Sequence, residues 1–235
     1  TKRRTRRRHD KPRPHRRGFS HQGAARAVNL PFPNLAAAPI CGEERRPGSP
    51  VVAWGRDRAL AAVEEDRLRR LIATGLLDTA SEERFDRLTR LASNTLGTSM
   101  ALVSLVDSER QWFKSRIGLD TPETPRSVSF CDHAIRQPDE VMVVLDARND
   151  DRFRDNPLVT GDPGIIFYAG APLVTTDGYA IGTLCVLDNK PRTEFTETER
   201  SILQDLARGV MLEIEVEASR QQIDDLQLIN RELQH

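Results

Sequence analysis

Residues 167–188 form the stretch FYAGAPLVTTDGYAIGTLCVLD. Two apolar runs, residues 167–174 and 180–188, are separated by the polar segment TTDGY, whose Asp177-Gly178 pair is typical of a hairpin turn. We therefore predict two antiparallel strands joined by a tight turn, and a sheet that extends outward from them.

Three further strand-like runs precede this hairpin. Residues 100–107 (MALVSLVD) and 111–118 (QWFKSRIG) are separated by a short polar turn, which predicts a second antiparallel pair. Residues 141–147 (VMVVLDA) supply another strand. Because helical patterns come before and after the strands, and do not alternate with them, the sequence predicts an α+β fold with an antiparallel sheet flanked by helices.

Two amphipathic helices are predicted ahead of the sheet. The first runs from about residue 57 to Gly75, and the second starts at the N-cap candidate Ser81 and stops at Gly97. The apolar faces assigned to them consist of Leu60, Val63, Leu68, Leu71 and Ile72 in the first helix, and of Phe85, Leu88, Leu91, Ala92 and Leu96 in the second.

A long C-terminal signalling helix is predicted from the capping box Thr196-Glu197-Thr198-Glu199 to the end of the chain. The residues of its first half that can dock on the sheet are Ile202, Leu203, Leu206 and Val210. The second half carries a narrow a/d stripe of Ile223, Leu226, Ile229 or Asn230, and Leu233. This spacing is typical of a dimeric coiled coil, so we expect a homodimer through this helix.

The first 55 residues differ in composition from the rest of the chain. They hold 13 Lys and Arg against 3 Asp and Glu, and 7 of the 14 prolines, without apolar periodicity. Such a segment cannot bury enough apolar surface to offset its ordering entropy, so residues 1–55 are predicted to be a disordered basic arm. Dense arginine attracts phosphate, but no aromatic residues interleave with the basic run. We therefore expect a solvated tail and no nucleic-acid partner.

The remaining composition suggests a cytoplasmic protein. No apolar run approaches the roughly 18–20 residues that a membrane span needs, so no membrane partner is expected. No secretory signal pattern is visible. The three widely spaced cysteines, Cys41, Cys131 and Cys185, argue against a disulfide framework and fit a reducing compartment.

Four phrases occur in a fixed order along the middle of the chain: SVSFCDHAI (127–135), LDARNDDRFRDNPLV (145–159), IIFYAGAPL (165–173) and IGTLCVLDNKPR (181–192). With them, the stretch from about residue 65 to 192 resembles the GAF family, in the subgroup at the front of bacterial sensor histidine kinases and diguanylate cyclases. The resemblance implies a GAF sensor domain over residues 56–195, followed by a linker helix over residues 196–235.

The last eight residues, LINRELQH (228–235), resemble the lead-in to the phosphoacceptor of HWE-type histidine kinases. The resemblance implies that His235 receives a phosphoryl group from ATP, a step suited to a neutral imidazole. The sequence shows no Gly-rich nucleotide lid or ATP-binding domain, so no complete catalytic machinery is expected within it.

Together these resemblances predict the sensory module of a signal-transduction histidine kinase. It would relay ligand or redox state through a dimeric helix, with a response regulator as the partner in a two-component phosphorelay. Three alternatives remain open: the GAF sensor of a diguanylate cyclase, a stand-alone interaction or dimerisation module without catalytic output, and a nucleic-acid-binding protein that uses the basic arm.

The resemblance also implies an apolar ligand pocket covered by a polar loop near residues 151–157. The residues expected to line it are Phe130, His133, Phe153, Asn156, Phe167 and Tyr168. The alternative is a domain that binds nothing and serves as a dimerisation spacer.

Cys131 and His133 raise the question of a cofactor. A Cys-x-His pair offers fewer ligands than a structural zinc site requires, so no metal is expected. In GAF proteins that attach bilin, the cysteine is usually followed by His, whereas Asp132 follows here. Cyclic nucleotides are not expected, since Glu199-Arg200 stands where nucleotide-binding relatives carry an acidic pair. Haem is not expected either. Cys131 remains a candidate redox-sensing thiol.

Overall fold

The computed structural model describes residues 51–233. The helices within this range are α1 (Val51–Ala73), α2 (Glu83–Leu96), α3 (Phe130–Ala134), α4 (Pro157–Thr160) and α5 (Glu197–Leu233). The strands are β1 (Met100–Val106), β2 (Arg110–Ile117), β3 (Glu123–Pro125), β4 (Met142–Val144), β5 (Phe167–Val174) and β6 (Ala180–Asp188). Residues 1–50 of the predicted basic arm lie outside this range. Residues 51–55, which were predicted to belong to the arm, are instead the start of α1.

The strands form one antiparallel sheet in the order β3-β2-β1-β6-β5-β4. The predicted hairpin of β5 and β6 and the predicted pair of β1 and β2 are both confirmed. β3 was not predicted, because its three residues are too few to show a pattern. The strand expected over residues 141–147 is only Met142–Val144, since Asp146 caps a 3-10 turn over Ala147–Asn149.

Helices cover one face of the sheet, and short helices and loops cover the other. Alternate residues of β1 show this division: Ala101 and Val103 join a core with α2 and α5, whereas Leu102 and Val106 join a core with α3. The fold is therefore α+β with an antiparallel sheet flanked by helices, as predicted, and the sheet separates two apolar layers.

The apolar faces predicted for α1 and α2 are only partly correct. Leu71 is fully buried, but Leu60, Val63 and Ile72 are exposed. The inner face of α1 also carries Arg67, which is 5% exposed and donates to the carbonyl oxygen of Val106 at 2.6 Å. This buried guanidinium replaces apolar packing there.

The ends of α2 illustrate a wrong and a correct prediction. The N-cap residue is Glu82, without a side-chain cap, and Ser81 lies outside the helix. Gly97 ends the helix with φ of 61°, in the left-handed region that favours glycine. On its predicted face, Phe85, Ala92 and Leu96 are buried, whereas Leu91 is 48% exposed.

α5 docks on the sheet with its first half and extends away with its second. The capping box is confirmed: the Thr196 amide donates to Glu199 at 2.7 Å, and the Glu199 amide donates to the Thr196 hydroxyl at 3.2 Å. The helix has 37 residues and is therefore about 55 Å long. Its buried residues are Leu203, Ala207, Val210, Met211 and Ile214.

The outer surface of α5 carries a row of exposed apolar side chains, which we call the helix stripe. It comprises Leu212, Val216, Ile223, Leu226 and Ile229. Leu212 and Val216 extend the predicted stripe toward the domain in the same 3–4 spacing. Of the helices in residues 51–233, none is long and apolar enough to cross a membrane.

Candidate functional site

A cavity of about 430 Å³ lies on the sheet face opposite α2 and α5. Its apolar walls come from the sheet and from α3 and α4, and they include Leu102, Phe113, Phe130, Leu158, Ile165 and Tyr168. Polar groups stand among them, namely Gln111, Asp120, Thr121, Thr124 and Asp162. An apolar chamber with a few polar groups has the character of a small-molecule site.

An aromatic stack forms one wall of this cavity. The Phe130 ring lies 4.1 Å from the Phe153 ring and 5.2 Å from the Tyr168 ring, between centroids, in stacked orientations. Phe130 and Tyr168 line the cavity, as predicted, whereas Phe153 stands behind Phe130. The structure thus brings three of the six predicted pocket residues together.

His133 and Asn156 lie beside the stack and do not line the cavity. The His133 ring meets the edge of Phe153 at 4.9 Å between centroids. Burial, and then the positive charge of Arg136, lower the pKa of His133 below its usual 6.5. Asn156 caps α4 by accepting from the Leu158 amide and donates to the Val128 carbonyl, both at 2.9 Å. Its role is to hold α4 beside the turn that precedes α3.

The prediction that Phe167 lines the pocket is wrong. Phe167 faces the opposite side of the sheet from Tyr168, because successive residues of a strand point to opposite faces. Its ring packs at 5.7 Å from that of Phe195, and the Arg192 guanidinium lies 4.6 Å from its centroid.

Two thiols lie close together beside the cavity, and only Cys131 belongs to its lining. The Sγ atoms of Cys131 on α3 and Cys185 on β6 are 3.9 Å apart, and both residues are buried. The Thr183 hydroxyl donates to Cys131 Sγ at 3.1 Å, and the Tyr168 hydroxyl does so at 3.5 Å. Cys131 is therefore a buried thiol surrounded by donors.

The two thiols differ in acidity. Burial alone would raise the pKa of Cys131, but hydrogen bonds from Cys185, Thr183 and Tyr168 outweigh it and lower that pKa below its usual value. Burial, together with the neighbouring Cys131, raises the pKa of Cys185 well above its usual value. Donors that stabilise a thiolate make a cysteine a better nucleophile at neutral pH.

Gly170 allows the Tyr168 hydroxyl to reach Cys131. A Cβ atom at Gly170 would lie 2.1 Å from the Tyr168 hydroxyl oxygen, so no larger residue fits beneath that ring. Sequence reasoning did not identify Gly170, since the phrase YAG gives no sign of which way the tyrosine lies.

A polar relay supports the start of α3. The Ser129 hydroxyl donates to Gln111 Oε1 at 2.5 Å, and Gln111 Nε2 donates to the Thr124 hydroxyl at 2.6 Å. The Ser129 oxygen also caps α3 by accepting from the Asp132 amide at 3.0 Å. Sequence reasoning missed this relay too, because its members come from three separate segments.

An ion-pair network, which we call the α1–α3 bridge, ties α3 to α1. Arg126 donates to Glu64 Oε1 at 2.6 Å and to Asp132 at 2.7 Å. Arg67 donates to the same Glu64 oxygen at 2.7 Å and to Glu64 Oε2 at 2.8 Å. Although burial raises the pKa of Glu64, the hydrogen bonds from Arg67 and Arg126 prevail and lower it from 4.5 to about 2. The bridge connects the helix that carries Cys131 to the helix at the front of the domain.

Replacing Glu64 by glutamine is expected to lower the free energy of unfolding by about 1 kcal/mol at pH 7, a value reduced for solvent screening of a partly exposed pair. Because the pKa of Glu64 is lower in the folded state, its contribution is complete above about pH 5 and is lost as the pH falls toward 2. Urea unfolding between about pH 3 and pH 7 should therefore show the two proteins converging in acid.

The control for this prediction is Glu65→Gln, since the Glu65 side chain is 74% exposed. We expect it to leave the free energy of unfolding almost unchanged at every pH. A Glu64→Gln deficit as large at about pH 3 as at pH 7 would contradict the role assigned to the bridge.

No set of three or more His, Cys, Asp or Glu side chains within residues 51–233 is arranged to hold a metal ion. His235, the predicted phosphoacceptor, and Cys41 both lie outside the described residues.

Over 151 residues, or 64% of this chain, the sequence is 45% identical to the cyclic di-GMP phosphodiesterase PA2567 of Pseudomonas aeruginosa. The matched stretch is 26% of that protein, so the chain spans about a quarter of the length of its curated relative.

Several solved structures are similar to this chain. The GAF domain of the Acinetobacter phosphoenolpyruvate-protein phosphotransferase matches with a TM-score of 0.48 and 19% identity, over 65% of this chain and 92% of its own. Free methionine-R-sulfoxide reductase from Neisseria meningitidis, in complex with its substrate, matches with a TM-score of 0.47 and 20% identity. This match covers 68% of this chain and 92% of that chain. The blue-light absorbing form of the Thermosynechococcus elongatus PixJ GAF domain matches with a TM-score of 0.49 and 13% identity. This match covers 71% of this chain and 95% of that chain.

The family model of the GAF domain matches residues 81–214, which is more than half of the chain. That range begins just before α2 and ends at the last buried residue of α5, so it contains the whole sheet and the cavity. The chain therefore belongs to the GAF domain family.

Proposed function

We propose that this chain is the sensory module of a bacterial protein that turns over cyclic di-GMP. The observation that carries the proposal is the 45% identity, over 151 residues, to a segment of a cyclic di-GMP phosphodiesterase. The proposal favours an output that acts on cyclic di-GMP, which includes the diguanylate cyclase considered from the sequence, over a histidine kinase.

In this proposal the cavity receives the signal. Its volume of about 430 Å³ and its apolar walls suit a small molecule with an apolar body. The carboxylates of Asp120 and Asp162 belong to its lining and favour a ligand that also presents hydrogen-bond donors. Phe130 is the lining residue best placed to report occupancy, because it belongs to α3 and stacks on both Phe153 and Tyr168.

The signal leaves through the helices at the two ends of the domain. A shift of α3 acts on α1 through Arg126 and Glu64 of the α1–α3 bridge. α5 packs on β5 from the opposite face of the sheet and carries the helix stripe beyond the domain. We propose that two chains pair along this stripe, and that the signal changes their packing. A difference of a few kcal/mol between two arrangements is enough for such a switch.

The resemblance of residues 228–235 to a histidine-kinase lead-in favours a second candidate. In it His235 accepts a phosphoryl group and a response regulator is the partner. Incorporation of phosphate from ATP at His235 in the full-length protein would favour this candidate. The same incorporation would count against an output on cyclic di-GMP.

An exchange protein tests the first candidate. The segment of PA2567 that matches this chain is replaced by the matching segment of this chain, and hydrolysis of cyclic di-GMP is measured. We expect a rate within about tenfold of the parent, since the exchanged modules share one fold and family. A PA2567 variant that lacks the segment is the control. A folded exchange protein no more active than this deletion would refute the proposal.

A further inference from the structure

The Cys131–Cys185 pair has no role in a sensor that responds only to ligand binding in the cavity. Two thiols 3.9 Å apart are already near contact, and both lie within the core. A disulfide requires an Sγ–Sγ distance of about 2.05 Å, so the sulfur atoms must approach by about 1.9 Å.

The cavity reaches only one of the two thiols. Cys131 belongs to its lining, whereas Cys185 lies behind it in β6, between β1 and β5. A small polar molecule that enters the cavity therefore meets Cys131 first. The two cysteines therefore differ in position: Cys131 borders the cavity, and Cys185 lies behind it.

The surroundings of Cys131 also favour its anion. Thr183 and Tyr168 donate hydrogen bonds to its sulfur from two different strands, and Gly170 leaves the space that the tyrosine needs. The same hydroxyl groups are placed to donate to an oxygen atom that approaches this sulfur. The site thus holds a nucleophile, donors for the departing oxygen and a second thiol.

We propose that Cys131 is a thiol that reacts with hydroperoxides entering the cavity and that Cys185 resolves the product as an intramolecular disulfide. This inference names a chemical signal for the cavity described above. It rests on the proposed function only for the effect that the disulfide would have on the turnover of cyclic di-GMP.

The chemistry balances in two steps. The Cys131 thiolate sulfur attacks one peroxide oxygen and the O–O bond breaks. The leaving hydroxide or alkoxide takes up a proton, and Cys131 becomes a sulfenic acid. The Cys185 sulfur then loses its proton and attacks the Cys131 sulfur, the S–O bond breaks, and water departs. Two thiols lose two electrons, and one hydroperoxide is reduced to an alcohol or water.

The disulfide would move α3. Cys185 is fixed by strands on both sides, whereas Cys131 belongs to a helix of five residues. Closing the bond therefore draws α3 toward the sheet, and Asp132 on the same helix carries the movement to Arg126 and α1.

The experiment uses the purified, fully reduced chain and hydrogen peroxide. Peptide mass spectrometry follows the thiols over time, with a sulfenic-acid trap in parallel samples. We expect a disulfide between Cys131 and Cys185 to form at least about tenfold faster than Cys41 of the same chain is oxidised. In Cys185→Ser the reaction should stop at a trapped sulfenic acid on Cys131, and in Cys131→Ser Cys185 should stay reduced.

Oxidation of Cys41 ahead of Cys131, or failure of the wild-type chain to form the bond, would overturn the inference. The wild-type result decides the matter even if a variant does not fold. Since the readout is thiol chemistry in the isolated chain, its failure is distinct from loss of cyclic di-GMP hydrolysis in the exchange protein.

Discussion

Replacing Gly182 by alanine should lower the free energy of unfolding by about 3 kcal/mol. Gly182 lies opposite Leu105 in the pairing of β6 with β1. A Cβ atom there would lie 2.1 Å from the carbonyl oxygen of Ser104 and 3.0 Å from the Leu105 Cα atom. These are backbone atoms of a central strand and cannot turn aside, so the two strands must separate. Urea unfolding of the full chain measures the loss.

Gly209→Ala is the matched control, because it adds the same methyl group but is expected to raise the free energy of unfolding. Gly209 lies within α5, and a Cβ atom there would make only ordinary contacts with Leu88, at 3.6 and 3.9 Å. Alanine favours helix over glycine by roughly 0.5–1 kcal/mol, so this variant should be more stable than wild type. If both variants lose stability equally, the close approach of β1 and β6 is not the cause.

Replacing Leu226 by aspartate should weaken dimerisation at least about 100-fold, because a charge would be buried in the paired stripe. In the single chain Leu226 is 59% exposed, as are its stripe neighbours Ile223 (53%) and Ile229 (52%). Exposed apolar side chains at this spacing predict that a second helix covers them. Sedimentation equilibrium over a range of concentrations measures the change in the dissociation constant.

Gln227→Asp places the same carboxylate one residue further along α5, off the stripe. We expect it to leave the dissociation constant within about threefold of wild type, since flanking positions of a coiled coil tolerate charge. A wild-type chain that remains monomeric, or a dimer unaffected by Leu226→Asp, would remove the helix stripe as the dimer contact.

Sequence reasoning succeeded where the relevant interactions are local. The Asp177-Gly178 turn fixed the β5–β6 hairpin, and Thr196 with Glu199 fixed the start of α5, because these signals act within a few residues. The exposed Leu60 and Val63 show the limit of the same method. Periodicity marks an apolar face but does not say whether the chain or a partner covers it.

The candidate site was less predictable because both faces of the sheet are buried. Phe167 and Tyr168 are adjacent and apolar, and only the tertiary structure shows which of them meets the cavity. Cys185 lies within an apolar strand-like run of the sequence, and its partner Cys131 is 54 residues away, so no local pattern joins them. The clearance that Gly170 provides depends on a side chain two residues earlier, which a pattern of residue types cannot show.

The central claim is that the cavity of this GAF domain controls an output on cyclic di-GMP. The most direct test is hydrolysis of cyclic di-GMP by the exchange protein with and without Leu119→Trp. Leu119 is a partly buried residue of the cavity lining, and the larger tryptophan would occupy part of the chamber. We predict a change in rate of about threefold or more, with the unfolding midpoint and the dimer preserved. Equal rates from both proteins would contradict control of the output by the cavity.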